Sequence, residues 1–347
     1  PLGATLMVSG EDGDEEAVSL WEKFREATLD YHKKEYERLN IHFDRITGES
    51  KVYQESKQLI EKWIDEGKLT PDEDNSVFYE FDDDEMPGAV ILKADGSTLY
   101  LTRDLYNLKK RNEEGFEYNL YVVASEQELH FRQLFKIADE MGLKTEGSEH
   151  ISYGMLNLPE GSMSTRKGLI IEQSEIFDKA VELAEEKAEK EMNRQLENAE
   201  AIGIGAVKYR NLAISRNKDM EFNWDTAISF KGDSGPYLQY SNVRAKSILR
   251  KASEEGEIDR RLENQEYELL KKLAEFPEKV ESAAEQREPA KIANYLSTLC
   301  EEFNTFYHEC EVIGSEKEAS RLKLVDMFVQ VSDKGLELLG IESLDKM

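Results

Sequence analysis

Tyr100 and Asp104 stand four residues apart, and Gln127 and His130 follow three apart. Next come a glycine-bounded run, Gly161-Ser-Met-Ser-Thr-Arg-Lys-Gly168, and then Tyr237 and Tyr240 ahead of Arg244. Each group suits a particular chemistry. A carboxylate at Asp104, in the first turn of a helix, can grip a planar guanidinium through two parallel hydrogen bonds, with Tyr100 offering a ring face or a hydroxyl. The alternative is an aspartate that only supports a helix start. Gln127 follows the apolar stretch Asn119–Ala124, so its amide can face a cleft at a strand end. His130, flanked by Leu129 and Phe131, suits either a binding or a structural role. In the glycine-bounded run, Arg166 and Lys167 carry charge, Ser164 and Thr165 can donate, and the glycines permit closure over phosphates. An ordinary polar loop has the same composition. Tyr237 and Tyr240 can share a helical face with Arg244, and unpaired bases stack on aromatics beside arginines. Packing anchors, with Trp224 among them, are the plainer reading.

The elements that must position these groups change character along the chain. Apolar residues from Glu15 to Leu39 and from Val52 to Ile64 fall at helical spacing, and Pro87-Gly88 marks a stop. Ala89–Leu92, the turn pair Asp95-Gly96 and Thr98–Leu101 read as a hairpin, with Thr102 capping a helix from Arg103 to Arg111. Asn119–Ala124 reads as a buried strand. It runs into a capping box, Ser125-Glu-Gln-Glu128, and a helix to Met141. A strand at Ile151–Met155 precedes the glycine-bounded loop, and Ser174 can cap a long acidic helix to about Asn198. From Glu200 the pattern is almost wholly helical: Ala201–Ile214, Tyr237–Ala252, Tyr267–Ala284, Pro289–Cys310 and Ser315–Leu339, closed by Gly340. The fold class is therefore α/β followed by all-α.

Composition narrows the partners. The 347 residues carry 73 acids against 45 Lys and Arg, a formal charge of −28, which argues against a polyanion as ligand. The distribution softens that objection. Residues 1–95 hold 25 acids and 11 bases, whereas Lys208–Lys251 holds nine bases and four acids. A basic island in an acidic chain is where a polyanion would dock; a solvated helix face is the alternative. No apolar run reaches the roughly 20 residues that span a bilayer, and nothing at the start resembles a secretory signal, so the expectation is a cytoplasmic protein with no membrane partner. Cys300 and Cys310 are expected to be reduced thiols on one helical hairpin.

Taken together, Tyr100-Leu-Thr-Arg-Asp104, the Gly161–Gly168 loop and Gly232-Asp-Ser-Gly-Pro-Tyr-Leu-Gln-Tyr240 resemble the arginyl-tRNA synthetases, a class I family. The resemblance runs from about Asp14 to Met347. It implies a partial Rossmann-like catalytic domain followed by an α-helical anticodon-binding bundle. Its implied divisions are a connective insertion at 1–88, the second half of the catalytic domain at 89–172, a connecting helix at 173–199 and the anticodon-binding domain at 200–347. It further implies arginine binding by Tyr100, Asp104, Gln127 and His130, and ATP binding by Gln127, Met163, Ser164, Arg166 and Lys167. Catalysis would fall to Ser164, Thr165, Arg166 and Lys167, in the place of the class I Lys-Met-Ser-Lys-Ser loop, although Ser162 and Thr165 stand where its two lysines would be. Contact with tRNA would come from Arg216, Lys218, Tyr237, Tyr240, Arg244 and Met347.

The implied reaction activates L-arginine with ATP, Mg2+ being the counter-ion, and esterifies tRNA-Arg; no tightly bound cofactor and no protein-held metal are expected. The family's His-x-Gly-His motif is nowhere in the sequence, since His32, His42, His130, His150 and His308 all lie in other contexts. The chain therefore reads as a later portion holding part of an active site, with the amino-terminal half as a further partner where it is a separate chain. A non-catalytic tRNA-binding fragment or a subunit of a split synthetase is the alternative. A class I enzyme for another amino acid stands third.

Overall fold

The computed structural model describes residues 15–82, 86–157, 172–193, 195–252, 259 and 261–347. Two compact units emerge. One takes Phe43–Tyr153 and the chain up to Asp30; the other takes Tyr31–His42 and Gly154–Met347. Helix α1, Glu15–Arg38, is followed by α2, Tyr53–Asp65, which buries Leu59, Ile60 and Trp63 at helical spacing. Strand β1, Val77–Tyr79, carries no strong strand signal in an acidic stretch, yet pairs antiparallel with β2, Ala89–Leu92.

The expected hairpin partner of β2 is absent, because Tyr100–Glu114 is helix α3. Thr98 keeps one isolated bridge to Leu92. Helical burial decides this conflict: Leu101, Leu105 and Leu108 all enter the core, which a strand at Thr98–Leu101 would forbid. Thr102 does cap, from inside the helix. Its hydroxyl accepts the Leu99 N–H at 3.1 Å and donates to the Ile91 carbonyl.

Strand β3, Asn119–Ala124, is followed by a single 3-10 turn at Ser125–Gln127 and by α4, Glu128–Glu140. No side chain caps α4, so the expected capping box does not form. Strand β4, Ser148–Tyr153, lies parallel to β3 with Asn119 opposite Ser148 and Ala124 opposite Tyr153. Nor is β3 buried throughout, as Leu120 and Val122 are exposed.

In the second unit β5, Leu156–Asn157, is followed by α5, Gln173–Met192, α6, Ala199–Leu212, and β6, Met220–Glu221, which pairs parallel with β5. Glu172, not Ser174, is the N-cap of α5, and Glu175 accepts its N–H at 3.3 Å. The left-handed Asn193 (φ 50°) ends α5 short of Asn198. One-turn α7, Trp224–Ala227, leads to α8, Gly235–Lys251, capped by Ser234, which accepts the Tyr237 N–H at 3.2 Å. Gly235 is required by packing, since a Cβ there would lie 2.5 Å from the Gly205 carbonyl oxygen of α6.

The expected helix Tyr267–Ala284 is two, α9, Asn264–Ala274, and α10, Phe276–Glu285. Pro277 has no N–H and its ring opposes the carbonyl four residues back, so the break falls beside it. Helices α11, Ala290–Glu309, and α12, Glu318–Leu338, complete the bundle, with Phe303 and Phe328 stacked at 3.9 Å in its core. Cys300 and Cys310 are buried free thiols, and burial pushes the Cys300 thiol up to about 12.

Candidate functional site

In the first unit α3 and α4 bring two of the expected residues together. His130 Nε2 lies 2.8 Å from Asp104 Oδ2, with side chains 21% and 30% exposed. The His130 ring meets Phe131 edge-on at 5.1 Å, and Phe131 packs against Tyr121 and stacks on His150 at 4.4 Å. His150 is anchored in turn at the Val123 carbonyl, 3.0 Å away. An aromatic layer thus fixes the imidazole, and the imidazole fixes the carboxylate. Asp104 is the fifth residue of α3, so the helix dipole that acts on a first turn contributes little. Tyr100 begins the same helix one turn earlier and is largely exposed, as is Gln127 at the end of the 3-10 turn. Sequence reasoning missed Tyr121, whose phenol is pushed up by burial while the Arg111 guanidinium, 5.2 Å over its ring, pulls the other way. Met163, Ser164, Thr165, Arg166 and Lys167 lie outside the described residues.

The second unit holds a groove of about 960 Å3. Tyr240, Arg244, Ser247 and Lys251 line it from one face of α8, their spacing of four, three and four being that of a helix surface. Arg244 sits 4.7 Å over the Tyr240 ring and 5.2 Å over the Tyr307 ring, and its Nη1 donates to Asn304 Oδ1. Asn304 donates in turn to the Tyr237 hydroxyl and the Ser241 hydroxyl, each at 2.9 Å. Tyr237 therefore stands behind the groove, holding the amide that holds the arginine. Its phenol is raised by burial, against the pull of the Asn304 hydrogen bond.

Met347 and Lys346 reach the groove because the tail before them is tied down. Lys208 donates to the Gly340 carbonyl, and Gln239 Nε2 donates to the Glu342 carbonyl at 2.9 Å. Lys246 pairs with Asp333 at 3.1 Å and donates to Ser343 at 2.8 Å, while Ile341 and Leu344 are buried. Two bases of the sequence's basic island are thus spent on architecture. Lys208 is half-buried and its pKa is lowered by that burial. Arg250, Lys251 and Lys346 remain as groove cations, facing Glu197 and Glu311.

Arg216 and Lys218 do not line the groove. Arg216 gives its carbonyl to the Gly154 N–H at 2.7 Å and its N–H to Glu288 at 3.3 Å; the Lys218 side chain is exposed. Sequence reasoning missed Asn304 and Tyr307. Their signal was positional: Phe303 and Phe306 are buried on α11, so a tyrosine next to Phe306 must face outward.

Glu263, Glu266 and Cys310 also converge within metal-ligand reach. The carboxylates are already engaged. Arg321 Nε lies 2.7 Å from Glu266 and its Nη2 3.0 Å from Glu263, with Lys317 3.1 Å from Glu263. Burial opposes the Glu266 charge, but the Glu263 N–H, Arg321 and Lys317 outweigh it and hold that carboxyl below the usual range.

Two family models match the chain. One, described as tRNA synthetases class I (R), catalytic domain, covers residues 4–224; the other, DALR anticodon binding domain, covers 238–347. Arginine–tRNA ligases of Halothermothrix orenii and Halobacterium salinarum are each 37% identical over 97% of this chain, covering 61% and 60% of the relative. The chain thus spans about three fifths of the length of these curated relatives. The crystal structure of arginyl-tRNA synthetase from Plasmodium falciparum shares the fold, with a TM-score of 0.84 at 23% identity over 98% of this chain and 60% of that one. The Thermus thermophilus arginyl-tRNA synthetase aligns with a TM-score of 0.81 at 23% identity, over 97% of this chain and 67% of that one.

Proposed function

Because the chain belongs to the arginine branch of the class I tRNA synthetases, with a catalytic-domain portion and a DALR anticodon domain, we propose that it serves an arginine–tRNA ligase and holds part of that enzyme's active site. The observation that carries this reading is the groove in which Arg244 is held between Tyr240 and Tyr307 beside Arg250, Lys251 and Lys346. A guanidinium fixed between two rings loses little freedom when a base stacks on it, and flanking cations suit the phosphates of a single-stranded tRNA loop. Tyr240, Arg244 and Met347 would contact the tRNA, and Tyr237 would act through Asn304. Arg216 and Lys218 would meet the tRNA outside the groove.

Asp104 would receive the guanidinium of L-arginine, oriented by His130, with Tyr100 and Gln127 as further contacts. A site built for that cation leaves its carboxylate unpaired against other amino acids. Ser164, Thr165, Arg166 and Lys167, with Met163, would handle the ATP phosphates, which bring Mg2+ as their counter-ion. Arg166 and Lys167 would steady the departing pyrophosphate. The setting is that of protein biosynthesis, and a cytoplasmic location suits it; among the described residues no helix is long and apolar enough to cross a membrane.

A second reading, a tRNA-binding fragment or split-synthetase subunit without activity of its own, is favoured by the absent His-x-Gly-His motif. Arginine-dependent ATP–pyrophosphate exchange separates the two. We expect none from the chain alone, even with tRNA, and recovery when the remaining part of the family's length is supplied. Robust exchange by the lone chain would defeat the view that its active site is partial. Salt-sensitive tRNA binding by the lone chain is the companion measurement, and its absence would remove the tRNA assignment.

A further inference from the structure

Asp104 meets His130 only while α3 keeps its rotation about its own axis. A roll of about 10° swings a side-chain tip lying about 5 Å from the axis through roughly 1 Å, enough to lose a hydrogen bond. One side of α3 is fixed by the burial of Leu101, Leu105 and Leu108. Apolar burial is non-directional, so it selects the inward face without fixing the angle closely.

The opposite side of the helix is held by directional contacts. Leu101 and Leu105 each lie two positions from Arg103, which at 3.6 residues per turn is the far side of the helix. Arg103 and Glu114 stand eleven residues apart, close to three full turns, so they share one line along that far side. Both bind the same stretch of chain. Arg45 donates to Glu114 through both forks, Nη1 to Oε1 at 3.1 Å and Nη2 to Oε2 at 2.6 Å. Four residues on, Glu49 accepts Arg103 Nη1 at 2.9 Å. Arg103 Nε donates to the buried Thr98 hydroxyl at 3.1 Å, and its guanidinium lies 5.6 Å over the ring of Tyr53, where α2 begins. The Arg103 side chain is only 12% exposed, so salt screens these contacts little. Phe43 and Ile46 are exposed, and the first buried apolar side chain along this stretch is Val52. Residues 43–53 thus cross the outer face of α3 from its last residue to its first turn, fastened at both ends by ion pairs.

We propose that residues 43–53 form a strap that sets the roll of α3, and that Arg103 is a positioning residue for recognition of the arginine side chain at Asp104. The leucines decide which face of α3 is buried; Arg103 and Glu114 decide the angle at which the neighbouring Asp104 meets His130. The proposal rests on the reading of Asp104 as the partner of arginine, and it adds the residues that aim that carboxylate.

Two measurements test it. In the chain itself, NMR follows the His130 Nε2 proton that faces Asp104, assigned by its loss in His130→Asn. Arg103→Met and Glu49→Gln should each shift or broaden this resonance while far-UV circular dichroism stays unchanged. In pyrophosphate exchange by the completed enzyme, both should raise KM for arginine about tenfold and leave KM for ATP unchanged, as a misaimed binding group would. Arg103→Lys keeps a charge for Glu49 but loses the fork that also reaches Thr98, and should recover part of the loss. Arg45→Ala, at the more exposed end of the strap, should act in the same direction but less. A resonance that neither variant moves overturns the strap. So does a joint rise of both KM values, which marks general loss of structure. KM for arginine that is raised by Asp104→Asn but not by Arg103→Met or Glu49→Gln overturns the strap and spares the reading of Asp104. A resonance that moves, with KM for arginine indifferent to Asp104→Asn, upholds the strap and sinks that reading.

Discussion

The two candidate sites differ in how much of their surroundings the chain itself supplies. Arg244 is held from three directions, by Tyr240, Tyr307 and Asn304, and Asn304 is held by Tyr237 and Ser241. Asp104 is met by His130, and the neighbouring Tyr100 and Gln127 are largely solvent-exposed. A groove whose lining is already held in place loses little freedom on binding, whereas a carboxylate with one fixed partner is less preorganised. The lesson is that among the described residues the helical unit frames its candidate groove with its own side chains, whereas the α/β portion gives Asp104 a single close side-chain partner.

The largest effect should come from the frame of the helical unit. Arg321 is buried with Glu266, so Arg321→Ala removes the nearest cation from a buried carboxylate, leaving it the Glu263 N–H and Lys317 at 3.4 Å, and should cost about 3 kcal/mol of unfolding free energy in urea titrations. A loss below 1 kcal/mol would show that this ion pair does not support the groove. The same pair sets an acid limit. Because the Glu266 carboxyl is held below its ordinary value, its stabilisation is present above the unfolded pKa and drains as pH falls through the lowered folded one. Melting curves of the wild type should therefore drop in acid, and those of Arg321→Ala should drop less.

Next in size, Asp104→Asn should lower kcat/KM for arginine about a hundredfold or more in the completed enzyme, the order expected for losing a charge-assisted guanidinium pair. A parallel fall in exchange with His130→Ala, partly restored by His130→Asn, would mark His130 as the group that positions Asp104. Equal activity in all three would dissolve the proposed site. Arg244→Ala should weaken tRNA binding by about 1–3 kcal/mol, and Tyr307→Ala should behave alike, because each removes one layer of the same stack. Unchanged affinity in both would move docking away from the groove. Smallest of all, Arg250→Ala and Lys251→Ala should each reduce the salt slope of binding by about one while costing little at fixed salt. If Arg244→Ala changes the slope and these two do not, then stacking and charge have been assigned to the wrong residues.

Much of this was legible in the residues. The long helices announced themselves because their apolar stripes exceed any competing period, whereas Asp104 and His130 were singled out through the family resemblance, residue type alone leaving a helix-supporting aspartate and a structural histidine as the plainer readings. The misreadings have local causes. Thr98–Leu101 alternates like a strand, but the longer leucine repeat of α3 outweighs four residues of alternation. Pro277 inside Tyr267–Ala284 should have divided that helix. Strand β1 escaped notice because three residues in an acidic stretch gain their pairing from β2, a partner that no local signal names. The groove was half legible: α8 displayed its tyrosines and arginine in sequence, whereas Asn304 and Tyr307 become neighbours of Arg244 only through packing. The basic island overstated the docking surface, since Lys208 and Lys246 turn out to fasten the tail.

That fastening has a practical outcome. Lys346 and Met347 line the groove because Gln239, Lys208 and Lys246 lash the preceding residues to the bundle, so anything joined after Met347 must leave from the groove itself. An affinity handle or fluorescent fusion attached there would crowd the very surface under assay, and labels for titration belong elsewhere on the molecule.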